Sequence, residues 1–234
     1  MRDSSRREEL AVRLADVRGR IAKACEVAGR DAGAITLIAV TKTRPASDVR
    51  LLSELGLRDI GENRDAEAAP KAAQCAEENL TWHFIGQLQT NKCDSVVRYA
   101  SVVHSVDRAR LVHALGRAAR RAERVIDCLI EVSLDGDPAR GGAPAGQVPA
   151  LAEALEAESG LVLRGVMAIA PLGTAPAAAF AELLDSASAV RAVRPSATVI
   201  SAGMSGDLEA AVEAGATHLR IGTALLGDRR PRVR

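Results

Sequence analysis

The chain has 234 residues, 47% hydrophobic and 26% charged, which is the composition of a globular protein. With 31 basic and 30 acidic residues its formal net charge is +1, so no global field favours nucleic acid or a membrane surface. The four aromatic residues are too few for a surface that stacks bases. No apolar run approaches the ~18 residues of a membrane span. We therefore expect no nucleic-acid or membrane partner, and a cytoplasmic location because the N-terminus leads into a charged helix rather than a signal segment.

The first predicted element is an amphipathic helix. Apolar residues recur at steps of three and four from Leu10 to Cys25, and the pattern stops near Gly29. Ser5 and Glu8 have the spacing of a capping box, which predicts that the helix starts there.

Beyond this helix, short apolar runs alternate with helical segments. The runs predict eight strands: Ile35–Thr41, Asp59–Glu62, Trp82–Gly86, Ser101–Ser105, Val125–Val132, Val162–Ile169, Thr198–Ser201 and Leu219–Gly222. The segments between them predict helices at Ser47–Leu55, Asp65–Glu78, Arg108–Arg121, Val148–Ser159, Ala175–Val193 and Asp207–Ala214. Thr90–Arg98 is a further predicted helix with a weaker pattern. Most runs are apolar throughout, as expected for parallel strands that are buried on both faces.

Eight strand–helix units predict an α/β fold, a single (β/α)8 TIM-type barrel with an extra N-terminal helix, which covers residues 1–234 as one domain. A doubly wound sheet is the alternative. The longest loop signal, Asp135–Pro144, lies in the connection 135–146 after the fifth strand and predicts either a flexible surface loop or a mobile cover over a site. The widely spaced cysteines predict reduced, buried thiols, and the scattered histidines predict no metal site.

Polar residues at the carboxyl ends of the strands are the site candidates, because barrels of this kind place their sites there. Lys42 directly follows the first strand. Partial burial in the barrel mouth would favour a neutral amine that attacks a carbonyl, although an ordinary solvated lysine also fits this position. Asn63 follows the second strand, where it either binds a ligand or caps the next helix. His83, on the third strand, is more typical of a satisfied core histidine than of a ligand.

Turns of small residues follow the last two strands, at the two positions where barrels often bind phosphate. Ser201–Asp207 opens a helix whose free N–H groups attract an anion, and Arg220–Thr223 ends the eighth strand. Ser205 also fits a simple helix cap, and the charge of Asp207 would repel phosphate unless it points outward. An amine, a phosphate cradle and an arginine in one barrel mouth suit a phosphorylated aldehyde, and pyridoxal 5′-phosphate (PLP) is the leading candidate.

The same residues resemble the pyridoxal-phosphate homeostasis protein family (the YggS/PROSC type). The resemblance covers the chain from about Ile21 to Gly227 and rests on Ala39–Thr43, Gly61–Asn63, Trp82–Lys92, His104–Asp107, Gly203–Asp207 and Arg220–Thr223. It implies a PLP-binding barrel of fold type III, like the N-terminal domain of bacterial alanine racemase. Two positions beside the site depart from the family pattern, Ala202 in place of a frequent methionine and Arg64 in place of a frequent tyrosine.

The resemblance also implies the roles of individual residues. Lys42 would carry PLP as a Schiff base, Asn63 would lie near the ring, and Arg220 would face the pyridine nitrogen. The phosphate would be held by the two turns, from which the predicted cofactor-binding residues are Met204, Ser205, Gly222 and Thr223.

The implied function is to hold PLP and to balance vitamin B6 pools, with apo-forms of PLP-dependent enzymes as candidate recipients and no robust catalytic activity.

The alternative is a PLP-dependent enzyme of the amino-acid racemase type. Racemisation needs an acid and a base on opposite faces of a carbanion. The only tyrosine, Tyr99, is predicted on or after the third helix of the barrel, and no second domain is expected. We therefore expect a monomeric cofactor-binding protein without catalytic residues. A third interpretation is a barrel that binds another sugar phosphate, which would use the two phosphate-binding turns but not the Lys42 amine.

Overall fold

Eight parallel strands form a closed barrel in the computed structural model, which describes residues 2–137, 141–171, 173 and 175–228. The strands are β1 (Thr36–Val40), β2 (Asp59–Glu62), β3 (Thr81–Phe84), β4 (Val102–Val106), β5 (Ile126–Glu131), β6 (Leu161–Met167), β7 (Val199–Ser201) and β8 (His218–Ile221). They pair in chain order, and β8 pairs with β1. The predicted TIM-type barrel is therefore confirmed, and the doubly wound alternative is wrong because the sheet has no open edge between these two strands.

Helices surround the barrel and alternate with its strands. Within the described residues they are α1 (Arg2–Val27), α2 (Ala46–Glu54), α3 (Asp65–Gln74), α4 (Cys93–Tyr99), α5 (Ala109–Arg121), α6 (Val148–Glu156), α7 (Pro176–Val193), α8 (Leu208–Glu213) and α9 (Thr223–Leu226). Short 3-10 helices occupy Ala32–Ala34, Thr90–Lys92 and Ala145–Gln147. Each predicted strand and helix is present, β2 with the predicted bounds and the others with shifted bounds. The largest shift is in α3, which ends four residues earlier than predicted because the chain turns at Cys75.

The start of α1 differs from the sequence prediction. The helix begins at Arg2, so Ser5 lies inside it and the predicted capping box is wrong. Arg6 lies near this end of the helix, and its guanidinium bonds to Asp48 at 2.7 Å and to the Leu226 carbonyl at 3.2 Å. These contacts join the start of α1 to α2 and α9.

The core is built mainly from aliphatic side chains, as the small number of aromatic residues requires. Strand residues are buried on both faces of the sheet, and one continuous cluster joins the strands to the inner faces of the helices. The four cysteines are buried and free, as predicted. No helix among the described residues is both long enough and apolar enough to cross a membrane.

The loop after β5 returns to the end of its own strand. The Ala143 N–H donates to the Glu131 carbonyl at 2.7 Å, and the Ser133 N–H donates to the Ala143 carbonyl at 2.9 Å. Residues 138–140 of the predicted loop lie outside the described residues. The described part of the loop is therefore attached beside the carboxyl end of the barrel, where the predicted site residues also lie.

Candidate functional site

A cavity of about 410 Å³ opens at the carboxyl ends of the strands, a volume typical of small-molecule sites. All seven residues that the sequence predicts as cofactor-binding line it: Lys42, Asn63, Met204, Ser205, Arg220, Gly222 and Thr223. Sequence reasoning did not single out several other lining residues, among them Arg44, Ile85, Glu131 and Ile169.

Lys42 is half-buried and lies two residues after the end of β1, and its chain neighbour Thr41 is held by hydrogen bonds. The Thr41 hydroxyl donates to Glu62 Oε1 at 2.6 Å, and its carbonyl accepts from Lys71 Nζ at 2.9 Å. Lys71 also pairs with the buried Glu62 carboxylate. The residue before Lys42 is thereby tied to both β2 and α3.

Thr43, on the other side of Lys42, is held in an unusual conformation. Its φ of +65° lies in the left-handed region, which non-glycine residues rarely adopt. Its backbone N–H donates to Glu67, whose carboxylate also accepts from Lys71 Nζ at 2.9 Å. Lys71 is therefore committed to two carboxylates and a carbonyl. Among the lysines of the described residues, only Lys42 lines the cavity.

Arg220 supplies a fixed positive charge to the cavity wall. Its Nη1 donates to the Ser201 carbonyl at 2.8 Å and to Ser201 Oγ at 2.7 Å, and its Nη2 donates to the Ala168 carbonyl at 2.8 Å. Burial lowers its pKa to about 10, with Glu131 and Asp207 opposing the shift. The guanidinium therefore remains charged at neutral pH in a single orientation.

Glu131, the last residue of β5, is a buried acid in the same wall. Burial raises the pKa of its carboxyl to about 7; Asp107 raises it further, and Arg220 opposes both effects. The carboxyl makes no hydrogen bond to another described residue. It can therefore hold or release a proton near neutral pH while facing the cavity.

The two turns predicted to bind phosphate meet at one end of the cavity. Ser205 Oγ accepts from the Ala224 N–H at 3.1 Å, which ties the turn after β7 to the first turn of α9. The backbone N–H groups of Ser205 and Gly206 have no partner among the described residues. They are therefore available to an anion.

Asp207 does not obstruct this cradle. Its Oδ1 accepts a hydrogen bond from the Met204 N–H at 2.6 Å, so the carboxylate is bonded within its own turn. Asp207 rather than Ser205 is the N-cap residue of α8, so the interpretation of Ser205 as the cap of that helix is wrong. Gly203 is required in this turn, because its φ is +90° and a β-carbon would lie 2.6 Å from Ala211.

Asn63 does not cap α3, since Arg64 is the N-cap residue there. The carbonyl oxygen of Asn63 lies so close to Gly86 that a β-carbon at Gly86 would approach it to 2.2 Å. The end of β3 therefore packs directly against Asn63. His83 lies outside the cavity and bonds to His104 and Asp59, so it is the satisfied core histidine that the pattern favours.

The residues present fit PLP. The cavity is lined by one amine, two arginines and one acid, and burial keeps that acid partly neutral. The net positive charge of this lining suits a phosphate dianion. The two turns add unpartnered backbone donors at one end, and Lys42 stands at the end of β1. This arrangement can bind a phosphorylated aldehyde and present an amine to it.

Comparison with known proteins identifies relatives over the whole fold. The family described as "Alanine racemase, N-terminal domain" matches residues 12–230. A pyridoxal phosphate homeostasis protein of Mycobacterium tuberculosis is 44% identical over 97% of this chain and 95% of its own. One of Pseudomonas aeruginosa is 41% identical over 94% of this chain and 96% of its own.

Solved structures agree. PipY of Synechococcus elongatus, solved with PLP bound, is 34% identical over 93% of this chain and 100% of its own, with a TM-score of 0.82. An alanine racemase of Clostridium difficile is 12% identical over 97% of this chain and 58% of its own, with a TM-score of 0.72, which shows the shared fold alone. The chain therefore belongs to the pyridoxal phosphate homeostasis proteins, a branch of the alanine racemase N-terminal domain family.

Proposed function

We propose that this chain binds PLP in the cavity at the barrel mouth and holds it so that the free cofactor stays in balance. One observation carries the proposal: residues assigned from separate motifs meet around a single cavity in which Lys42 is the lining lysine. The relatives that bear the name pyridoxal phosphate homeostasis protein, and the PLP-bound PipY structure, support it.

Each residue then has a defined task. Bound PLP supplies an aldehyde that condenses with a primary amine. Lys42 Nζ is the amine that attaches it, and the backbone held by Thr41 and Thr43 keeps that amine at the end of β1. The N–H groups of Ser205 and Gly206 bind the phosphate, together with the side-chain hydroxyls of Ser205 and Thr223.

Arg220 favours holding the cofactor over transforming a substrate on it. We assign its buried guanidinium to the nitrogen side of the ring. A fixed positive charge there disfavours a second one on the pyridine nitrogen, which weakens the ring as an electron sink. The site therefore suits attachment and release better than carbanion chemistry.

The second candidate is racemase-like catalysis, and Glu131 is the observation that favours it. Tyr99 offers no second base, since its hydroxyl lies 3.4 Å from Asp65 on the outside of the barrel and does not line the cavity. Glu131 does line the cavity and can exchange a proton near neutral pH. We propose that it does not serve as a base against a substrate.

Attachment is tested by borohydride reduction of the PLP-loaded protein and peptide mass mapping. We expect visible absorption before reduction and a fixed cofactor on the peptide that contains Lys42. Lys42→Ala should lose both and keep its circular dichroism, because Lys42 is not part of the hydrophobic core. The exposed Lys92, changed to alanine, is the matched control and should behave as wild type. Fixation on another lysine of the wild type would refute the assignment.

Turnover is tested by incubating L-alanine with the loaded protein in heavy water. We expect no deuterium at Cα beyond that given by free PLP. Rapid exchange with accumulation of D-alanine, abolished by Lys42→Ala and reduced by Glu131→Gln, would make the chain an enzyme and end the homeostasis proposal.

The proposal extends to partners and place. We infer that apo-forms of PLP-dependent enzymes receive the cofactor, that the protein acts as a monomer, and that it works in the cytoplasm. The four free, buried cysteines support a reducing compartment. Recovery of activity in an apo-enzyme mixed with the loaded protein, and the elution volume on size exclusion, test the first two inferences.

A further inference from the structure

A line of hydrogen bonds crosses the inside of the barrel and ends at Arg220. The guanidinium Nη1 lies 2.7 Å from Ser201 Oγ, and this oxygen lies 3.0 Å from His104 Nδ1. His104 Nε2 lies 2.9 Å from His83 Nδ1, and His83 Nε2 lies 2.9 Å from Asp59 Oδ1. The first four side chains are buried, whereas that of Asp59 is 29% exposed.

The strands fix where this line runs. Asp59, His83 and His104 lie on the neighbouring strands β2, β3 and β4. Ser201 and Arg220 lie on β7 and β8, and β4 does not pair with β7, so the His104–Ser201 bond crosses the barrel interior. Asp59 is the first residue of β2, whereas Arg220 lines the cavity at the opposite end. The line therefore connects the two ends of the barrel.

The chemistry of the line's two ends gives it one direction. The Asp59 carboxylate only accepts, so His83 must donate from Nε2. When His83 carries only this proton, it accepts at Nδ1 from His104 Nε2–H, and His104 accepts at Nδ1 from the Ser201 hydroxyl. The Ser201 oxygen in turn accepts from Arg220, which only donates. Each bond thus has one donor and one acceptor.

His104 is kept in the neutral form that this direction needs. Its complete burial is the main reason that its pKa lies well below the usual value. The charged or titratable groups that face it, His83, Arg220 and His218, lower the pKa further. A neutral imidazole has one donor and one acceptor nitrogen, which is what the line requires.

We propose that Ser201, His104 and His83 are positioning residues for the Arg220 guanidinium, and that the Asp59 carboxylate sets the direction of every donor between them. If the Ser201 hydroxyl pointed at Arg220, two donors would face each other. By turning that hydroxyl towards His104, the line leaves the Ser201 oxygen free to hold Nη1. The inference rests on the proposed function, because that function assigns Arg220 to the ring of PLP.

The direction is tested without cofactor, by nitrogen-15 NMR of the histidine rings in the PLP-free protein. We expect His83 and His104 both as Nε2–H tautomers at neutral pH. The exposed His113, which pairs with Glu158, serves as an internal reference. An Nδ1–H tautomer or a doubly protonated ring at either buried position overturns the proposal.

Asp59→Asn tests whether the Asp59 carboxylate sets the tautomers of His83 and His104. An amide both donates and accepts, so it no longer dictates one direction. We expect a second tautomer population at His83 and His104 in this variant and an unchanged pattern in His113→Gln. Unchanged tautomers in Asp59→Asn would refute the control by Asp59.

The link to the cofactor site is tested with PLP itself. Ser201→Ala removes one of the bonds to Arg220 and should weaken PLP binding about two- to tenfold, with a shifted absorption maximum. Asp59→Asn should shift the same maximum from the opposite end of the barrel. Wild-type affinity and spectrum in both variants would overturn the positioning role. If the wild type fails to bind PLP, the proposed function fails, and the direction of the line stands or falls on the NMR result alone.

Discussion

Replacing Glu131 with glutamine should stabilise the PLP-free protein at alkaline pH. The carboxyl is buried at the end of β5 without a hydrogen-bond partner among the described residues. Burial raises its pKa from 4.5 to about 7, so the folded protein binds this proton more tightly than the unfolded chain does. Glutamine is uncharged at every pH and nearly isosteric, so it removes the cost of burying the ionised group.

The sign and size follow from proton linkage. Below pH 4.5 both states carry the proton, and Glu131 adds no pH dependence. As the pH rises to about 7 the unfolded chain has lost the proton and the folded protein has not, so the stability falls. The pKa difference corresponds to a loss of up to about 3 kcal/mol, since each pKa unit is worth about 1.4 kcal/mol. For a chain of this length that is about 6–12 °C in Tm.

Urea unfolding of the PLP-free protein at several pH values between 5 and 8 measures this effect. The difference in free energy of unfolding between Glu131→Gln and wild type should grow with pH and level off above pH 7. The same substitution at the exposed Glu153 of α6 should leave the pH dependence unchanged. A Glu131→Gln protein that follows the wild-type curve, or is less stable than wild type at pH 8, would show that the carboxyl is solvated or paired and that the reasoning is wrong.

Three further predictions follow from single contacts. Lys71→Met should lower the free energy of unfolding in urea by about 3–5 kcal/mol, because it strips two carboxylates of a buried partner. Ser205→Ala should weaken PLP binding about ten- to a hundredfold in a fluorescence titration and leave the weak binding of pyridoxal unchanged, since the lost bond is to the phosphate. Gly86→Ala should lower both Tm and PLP affinity, because its β-carbon would lie 2.2 Å from the Asn63 carbonyl oxygen. Gly146→Ala, with no atom within 4 Å of the new carbon, should lower neither.

The barrel could be predicted from the sequence because each of its strands is a local signal. Continuous apolar runs separated by helical periodicity predict parallel strands wherever they occur, and eight of them suffice to close a barrel. The start of α1 could not be predicted in this way. The capping pattern at Ser5 is local, whereas the neighbouring Arg6 contacts residues more than forty positions away, which the local pattern does not indicate.

The site residues could be predicted where the motif lies at a strand end. Lys42 follows an apolar run directly, and that position in the sequence is enough to predict that it lies at the barrel mouth. Glu131 ends an apolar run in the same way and could have been found by the same rule, but it belongs to none of the motifs that carry the family resemblance. The hydrogen bond between His104 and Ser201 joins residues 97 positions apart across the barrel, and neither local pattern indicates it.

Two glutamates show how the surroundings decide which lysine serves the cavity. Glu62 and Glu131 each end a strand, both are buried, and burial raises the pKa of each. Glu62 pairs with Lys71, and this ion pair offsets part of the rise in the pKa of Glu62. It also holds the Lys71 ammonium outside the cavity. Glu131 has no such partner among the described residues and lies in the cavity wall, where a pKa of about 7 leaves its carboxyl partly protonated at neutral pH. The buried ion pair thus holds the Lys71 amine outside the cavity, and Lys42 is the one lysine of the described residues that lines it.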